Sequence, residues 1–152
     1  MRPLILVGFI ALGIFSLRGT RWAYITFVFL GLLFFPASVE FRLNPQACEF
    51  AINGPLALFS LTNYGHIWRF ALFFAMTSAQ LRMDDPRALA WSALATIVMG
   101  AAVELAEGIT GSGHCRLRDL VPDSAGALLG ATLVFFWRCA IMSPRRAAHL
   151  ER

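Results

Sequence analysis

The sequence has no lysine, and charged residues make up only 14% of its 152 positions. Soluble domains average about 25% charged residues, so this shortage argues against an ordinary soluble enzyme, a disordered chain and a coiled coil. The three cysteines form no C-x-x-C pair, which excludes a disulfide-rich scaffold and leaves no zinc or redox motif. Catalytic templates such as G-x-S-x-G and H-E-x-x-H are also missing. We therefore expect no catalytic residue, no metal and no cofactor.

All thirteen basic residues are arginines, and they lie scattered between apolar runs. A nucleic-acid-binding protein would gather them on one face, so nucleic acid is not an expected partner. Apolar residues make up 58% of the chain, and the mean hydropathy is +0.65. This composition is typical of a small polytopic membrane protein. We predict an all-α transmembrane bundle that forms a single domain over residues 1–152.

Five apolar stretches predict about five spanning helices, at residues 3–18, 22–39, 66–82, 87–107 and 119–140. A spanning helix needs about 20 residues, and the shorter stretches reach that length if flanking arginines extend to the interface. The first stretch also fits a signal peptide, but no A-x-A-like cleavage site follows it, so we interpret it as a retained helix. Tryptophans near span ends fit an aromatic belt; they are Trp22, Trp68, Trp91 and Trp137.

The arginines in the loops and near the span ends predict the orientation of the bundle. One side of a five-span arrangement holds four of them, namely Arg2, Arg42, Arg116 and Arg118. The other side holds eight, namely Arg18, Arg21, Arg82, Arg87, Arg138, Arg145, Arg146 and Arg152. The positive-inside rule places the richer side in the cytoplasm. We therefore predict a multi-pass protein of the bacterial cytoplasmic (inner) membrane, with a cytoplasmic C-terminus and two long outer loops.

Ionisable residues inside or beside the last three spans form a candidate site, because such residues are costly in a membrane. The topology places them all near the outer face, and helical spacing gives each helix a polar stripe that we expect to face the others. The cluster comprises His66, Arg69, Glu104, Glu107, Arg116, Arg118, Asp119 and Asp123. Three interpretations stay open: an ion-pair network that only holds the bundle together, a ligand or lipid-headgroup site, and a site of proton transfer or catalysis.

Two further features concern packing and covalent links. Gly126 and Gly130 form a G-x-x-x-G pattern that lets another backbone approach closely, and we expect its partner within the chain at residues 100–102. Cys48 and Cys115 both fall in the predicted outer loops, where an oxidising compartment would permit a disulfide. Cys139 falls at the inner end and should remain a free thiol.

The segment 104–130 resembles the VanZ-like membrane proteins, and the resemblance extends over residues 63–137. The positions that match in type and spacing are Glu104, Asp119, Gly126 and Gly130. His66 is similar to the family's histidine at the head of an earlier helix, whereas acids replace a glutamine at Glu107 and an asparagine at Asp123. The family takes its name from reduced susceptibility to teicoplanin, which acts on envelope precursors. The resemblance implies a divergent member whose outer-face site meets an envelope lipid or glycolipid.

Three functional hypotheses follow from the sequence. The first is a non-enzymatic membrane protein that binds a lipid or cell-envelope component through the polar cluster. The second is an accessory or structural subunit of a larger membrane complex, or a homo-oligomer, suggested by small size and by aromatic faces at Phe27, Phe29, Phe34, Phe35, Phe70, Phe73 and Phe74. The third is a membrane enzyme that uses Glu104, Glu107 and Asp123, although no nucleophile lies beside them in the sequence.

Overall fold

The computed structural model describes residues 2–34, 43–81, 85, 87–111 and 114–150. This part of the chain is all-helical, with an isolated bridge between Glu49 and Arg116 as its only β-type pairing. The helices are α1 Arg2–Leu17, α2 Arg21–Phe34, α3 Gly54–Ser60, α4 Tyr64–Gln80, α5 Ala88–Thr110 and α6 Leu120–Leu150, with a 3-10 helix at Leu117–Asp119 before α6. The predicted all-α class is confirmed.

Each predicted apolar stretch lies on a helix, but the ends differ. α5 continues past the expected end at residue 107 to Thr110, because Gly111 supplies the left-handed conformation (φ 61°) that ends a helix. α6 continues past residue 140, since backbone hydrogen bonding needs helix-forming residues rather than apolar ones. The seven-residue helix α3 was not anticipated. Positions 35–39 and 82 of the predicted spans, and the loop residue Arg42, lie outside the described residues.

α4 lies at the centre of the bundle and contacts α1, α2, α5 and α6. Its closest neighbour is α6, because α6 presents glycines to it. A Cβ at Gly126 would lie 2.5 Å from the Ile67 carbonyl oxygen, and one at Gly130 would lie 2.8 Å from that of Ala71. The expected partner of this pattern, residues 100–102 on α5, is therefore wrong: a glycine pair identifies a surface for close approach but not the helix that uses it.

The phenylalanines of α4 form the core of the bundle. Phe70, Phe73 and Phe74 are buried, as is Met76 on the next turn. The interpretation of these phenylalanines as an outward aromatic face is therefore wrong, because α4 is surrounded by four other helices. On α2, by contrast, Phe29 is 65% exposed.

Two helical segments in the described part are long and apolar enough to cross a membrane, Ala88–Thr110 and Leu117–Ala140. The first two helices contain shorter apolar segments, Leu6–Leu17 and Arg21–Leu32. The chain direction brings the start of α4, the end of α5 and the start of α6 to the same end of the bundle. We call this the disulfide end, because Cys48 and Cys115 are bonded there.

Candidate functional site

Three helices each contribute one ionisable side chain to a single point near the disulfide end. His66 comes from the first turn of α4, Glu104 from the last two turns of α5 and Asp123 from the first turn of α6. A nitrogen or oxygen ligand atom from each residue lies within 4.8 Å of those of the other two. Glu104 and Asp123 are buried, and His66 is largely so. We call these residues the three-helix cluster.

Asp123 is the central member of the three-helix cluster. Its Oδ1 lies 2.8 Å from Nδ1 of His66, a hydrogen-bonding distance that ties α6 to α4. Its Oδ2 lies on the α5 side, where a Cβ at Gly100 would come within 2.7 Å of it. The missing side chain of Gly100 therefore makes the space for this carboxylate. Gly100 precedes Glu104 by one helical turn, so both residues lie on the same side of α5.

Glu104 is held by the backbone of the loop that connects α5 to α6. Its Oε2 accepts a hydrogen bond of 2.6 Å from the backbone N–H of Arg116. Its neighbour on the next turn, Glu107, accepts one of 3.1 Å from the backbone N–H of His114. The two carboxylates thus fix the second half of the connecting loop, and the loop in turn orients them.

The irregular segment 43–53 covers this loop and holds it in place. Backbone N–H groups of Gln46 and Glu49 donate to the carbonyls of Gly108 and Cys115, each at 2.8 Å. The bond at Gly108 satisfies one of the carbonyls that every helix leaves unpaired at its C-terminus. A disulfide between Cys48 and Cys115 joins the two segments covalently.

The side chains of the loop arginines pair with Glu49 and not with the three-helix cluster. Arg116 and Arg118 each approach Glu49 to 3.3 Å, in pairs that are partly exposed to solvent. Exposed ion pairs of this kind contribute about 0.2–1 kcal/mol, so they fix the loop only weakly beside the disulfide. Asp119 lies in the 3-10 helix, one turn before Asp123.

A cleft of about 150 Å³ opens beside the three-helix cluster, between α2, α4 and α5. Its ionisable lining residues are His66, Arg69 and Glu107. The remaining lining residues are Gly31 and six apolar residues, namely Phe27, Phe70, Leu72, Phe73, Met99 and Val103. A cavity of this volume holds a small apolar group such as a benzene ring.

The structure therefore divides the predicted cluster into three parts. His66, Glu104 and Asp123 converge, whereas Arg69 and Glu107 line the neighbouring cleft and the loop arginines turn to Glu49. The expectation that the polar stripe of α4 faces the other two stripes fails for Thr77 and Gln80. Further along α4, Thr77 bonds the Tyr24 hydroxyl of α2, and Gln80 donates to the Ser16 carbonyl of α1.

The roles of Glu49 and Gly100 in this region were not predicted from the sequence. Glu49 could have been found from the sequence. A disulfide between Cys48 and Cys115 would bring together the residues that follow them, which are Glu49 and Arg116. Gly100 lies one turn from an acid, but nothing in the sequence indicates which carboxylate fills the space beside a glycine.

Comparison of the sequence with protein families, with curated proteins and with solved structures gives no match. The resemblance to VanZ-like proteins therefore rests on the residues and spacings of its motif.

Proposed function

We propose that this chain is a VanZ-like integral membrane protein that crosses the bacterial inner membrane five times, through α1, α2, α4, α5 and α6. The exposure of its apolar helices supports this arrangement. Only 33% of the most apolar window of α5 and 28% of that of the last candidate span are buried within the chain, whereas the core helix of a soluble protein is mostly buried. Large exposed apolar surfaces of this kind mark membrane or partner contacts.

The aromatic and basic residues support the proposed orientation. The four tryptophans are between 55% and 63% exposed, as residues of an interfacial belt would be. Arg18, Arg21, Arg87 and Arg138 lie at the end of the bundle opposite the disulfide end. In this arrangement the C-terminus is cytoplasmic, and the disulfide faces the oxidising side, where such bonds persist.

Within this protein, the cleft beside the three-helix cluster binds a lipid or another amphipathic component of the cell envelope, without chemical conversion. The observation that carries this proposal is the division of the cleft lining: mostly apolar walls, with Arg69, His66 and Glu107 as its ionisable residues. Small-molecule sites have this composition, with a few polar groups that set orientation among apolar walls. A short segment of an acyl chain fits the apolar walls, and a polar headgroup fits the ionisable residues.

The charges of the cleft favour a headgroup that is not purely anionic. Arg69 is suited to a phosphate, because a guanidinium offers several donors in a planar fork. Glu107 lines the same cleft and is suited to an ammonium or hydroxyl group. Asp123 is hydrogen-bonded to His66 and does not line the cleft. A zwitterionic phospholipid or a glycolipid therefore fits best.

Native mass spectrometry of the full chain tests this proposal. The tagged protein would be extracted from host membranes in a mild detergent, and its bound lipids identified. We expect one defined lipid class on the wild-type chain. Arg69→Gln should lose it by removing the headgroup contact, and Gly31→Leu should lose it by filling the apolar part of the cleft. Gly8→Leu is the matched control, because a side chain at Gly8 meets nothing within 4 Å.

Retention of the same lipid in Arg69→Gln and Gly31→Leu, with both variants monodisperse, would contradict the proposal. Protein partners in fixed stoichiometry on a chain without lipid would instead support the accessory-subunit hypothesis.

A further inference from the structure

The two buried carboxylates of the three-helix cluster are each bound through only one oxygen. Glu104 is 6% exposed and Asp123 is 2% exposed. Oε2 of Glu104 and Oδ1 of Asp123 have the partners described above, whereas Oε1 of Glu104 and Oδ2 of Asp123 are buried without a hydrogen-bond partner in the described part of the chain. A buried oxygen without a partner costs free energy, and a site with two of them suits a cationic ligand.

We propose that the three-helix cluster is a binding site for one divalent transition-metal ion, with Zn²⁺ as its best match. One imidazole nitrogen and two carboxylate oxygens form a mixed ligand set that zinc accepts, whereas magnesium and calcium prefer oxygen alone. With a neutral His66, the two carboxylates carry two negative charges, which a divalent ion neutralises. The three-helix cluster shares His66 with the lipid cleft, but the proposal rests on the two buried carboxylates, which do not line the cleft, and it does not depend on lipid binding.

The distances in the three-helix cluster are compatible with this ion after a small adjustment. Zinc binds nitrogen and oxygen ligands at about 2.0–2.2 Å, so tetrahedral ligands lie about 3.4 Å apart. The ligand atoms here lie within 4.8 Å of one another. Oε1 of Glu104 and Oδ2 of Asp123 have no hydrogen bond to break when they move toward an ion, and an ion bound at Nδ1 of His66 would replace its hydrogen bond to Asp123.

The surroundings of the cluster resemble the outer shell of a metal site. Metal-binding carboxylates are oriented by hydrogen bonds to their other atoms, and the backbone N–H of Arg116 makes such a bond to Glu104. The disulfide-bonded loop fixes that N–H in place. Because each ligand comes from a different helix, the ion would join α4, α5 and α6 at the disulfide end.

Metal binding by the purified full chain tests the proposal directly. A streptavidin-binding tag is needed, since a polyhistidine tag itself binds zinc. After treatment with a chelator, the protein would be equilibrated with Zn²⁺, passed over a desalting column and analysed for metal content. We expect about one zinc per chain and a saturable rise in melting temperature. Co²⁺ should substitute and give the visible absorption of a four-coordinate ion.

Variants assign the site. His66→Asn, Glu104→Gln and Asp123→Asn should each weaken zinc binding by more than the about 10–100-fold typical of outer-shell changes. Asp85→Asn, between α4 and α5 at the opposite end of the bundle, is the matched control and should bind zinc like the wild type. A wild-type chain that binds neither zinc nor cobalt would overturn the proposal, even if the variants fail to fold. Equal zinc binding in the folded variants would also overturn it, because the ion would then lie elsewhere.

Discussion

Replacement of Gly126 by alanine should destabilise the bundle by forcing α4 and α6 apart. The added Cβ would lie 2.5 Å from the Ile67 carbonyl oxygen and 2.9 Å from the Phe70 Cβ. Favourable contacts between such atoms lie at about 3.5–4.0 Å, so the two helices must separate locally by about 1 Å. Because Phe70 is buried between helices, this separation disturbs the packing of the core as well as the contact itself.

The expected magnitude is the difference between two effects. Overpacking of a well-packed interior costs about 1–3 kcal/mol, whereas the change from glycine to alanine within a helix gains about 0.5–1 kcal/mol. Gly8→Ala isolates the second effect, since its Cβ meets nothing within 4 Å. We expect Gly126→Ala to be about 2 kcal/mol less stable than Gly8→Ala. For a chain of this size, this corresponds to a melting temperature lower by about 4–8 °C.

The measurement is thermal unfolding of each purified variant in the same detergent, followed by tryptophan fluorescence. Gly130→Ala should behave like Gly126→Ala, because its Cβ would lie 2.8 Å from both the Ala71 carbonyl oxygen and the Phe74 Cβ. If Gly126→Ala and Gly130→Ala melt at the temperature of Gly8→Ala, the close contact between α4 and α6 does not exist.

Three further perturbations test other parts of the structure. Cys48→Ser opens a loop of 67 residues, for which chain entropy gives a loss of up to about 4 kcal/mol. Its melting temperature should fall to that of the reduced wild type, while Cys139→Ser, at an exposed free thiol, should melt like the oxidised wild type. Arg138 is 6% exposed and donates to the Ser78 hydroxyl at 2.8 Å, but it has no carboxylate partner in the described residues. Arg138→Met should therefore keep or raise the melting temperature, whereas Arg138→Glu should lower it. A green fluorescent protein fused to the C-terminus should fluoresce and an alkaline phosphatase fused there should stay inactive; the reverse would contradict the proposed orientation.

The all-helical architecture could be predicted because it depends on local properties. Runs of apolar residues without a strand-like alternation specify helices, and short connections bring the end of one helix beside the start of the next. This connectivity was also enough to place His66, Glu104 and Asp123 at one end of the bundle. The lateral arrangement of the helices depends on which surfaces fit each other, and a single sequence does not contain that information.

The wrong predictions all concern which helices pack against each other. Gly126 and Gly130 were assigned to the small residues of α5, but they pack on the backbone of α4, beside the Cβ atoms of Phe70 and Phe74. The phenylalanines of α4 were interpreted as an outward face, because the sequence does not indicate that four helices surround α4.

The glycines of the bundle and the three-helix cluster form one structural system. Gly126 follows Asp123 by one turn and rests on the carbonyl of Ile67, the residue next to His66. The close approach of α6 to α4 at this glycine therefore brings Asp123 within hydrogen-bonding distance of His66. On the opposite side, Gly100 leaves the space that the same carboxylate fills. The position of Asp123 thus depends on the glycines at positions 100 and 126. A substitution that moves α6 away from α4 should therefore weaken the site before it unfolds the protein.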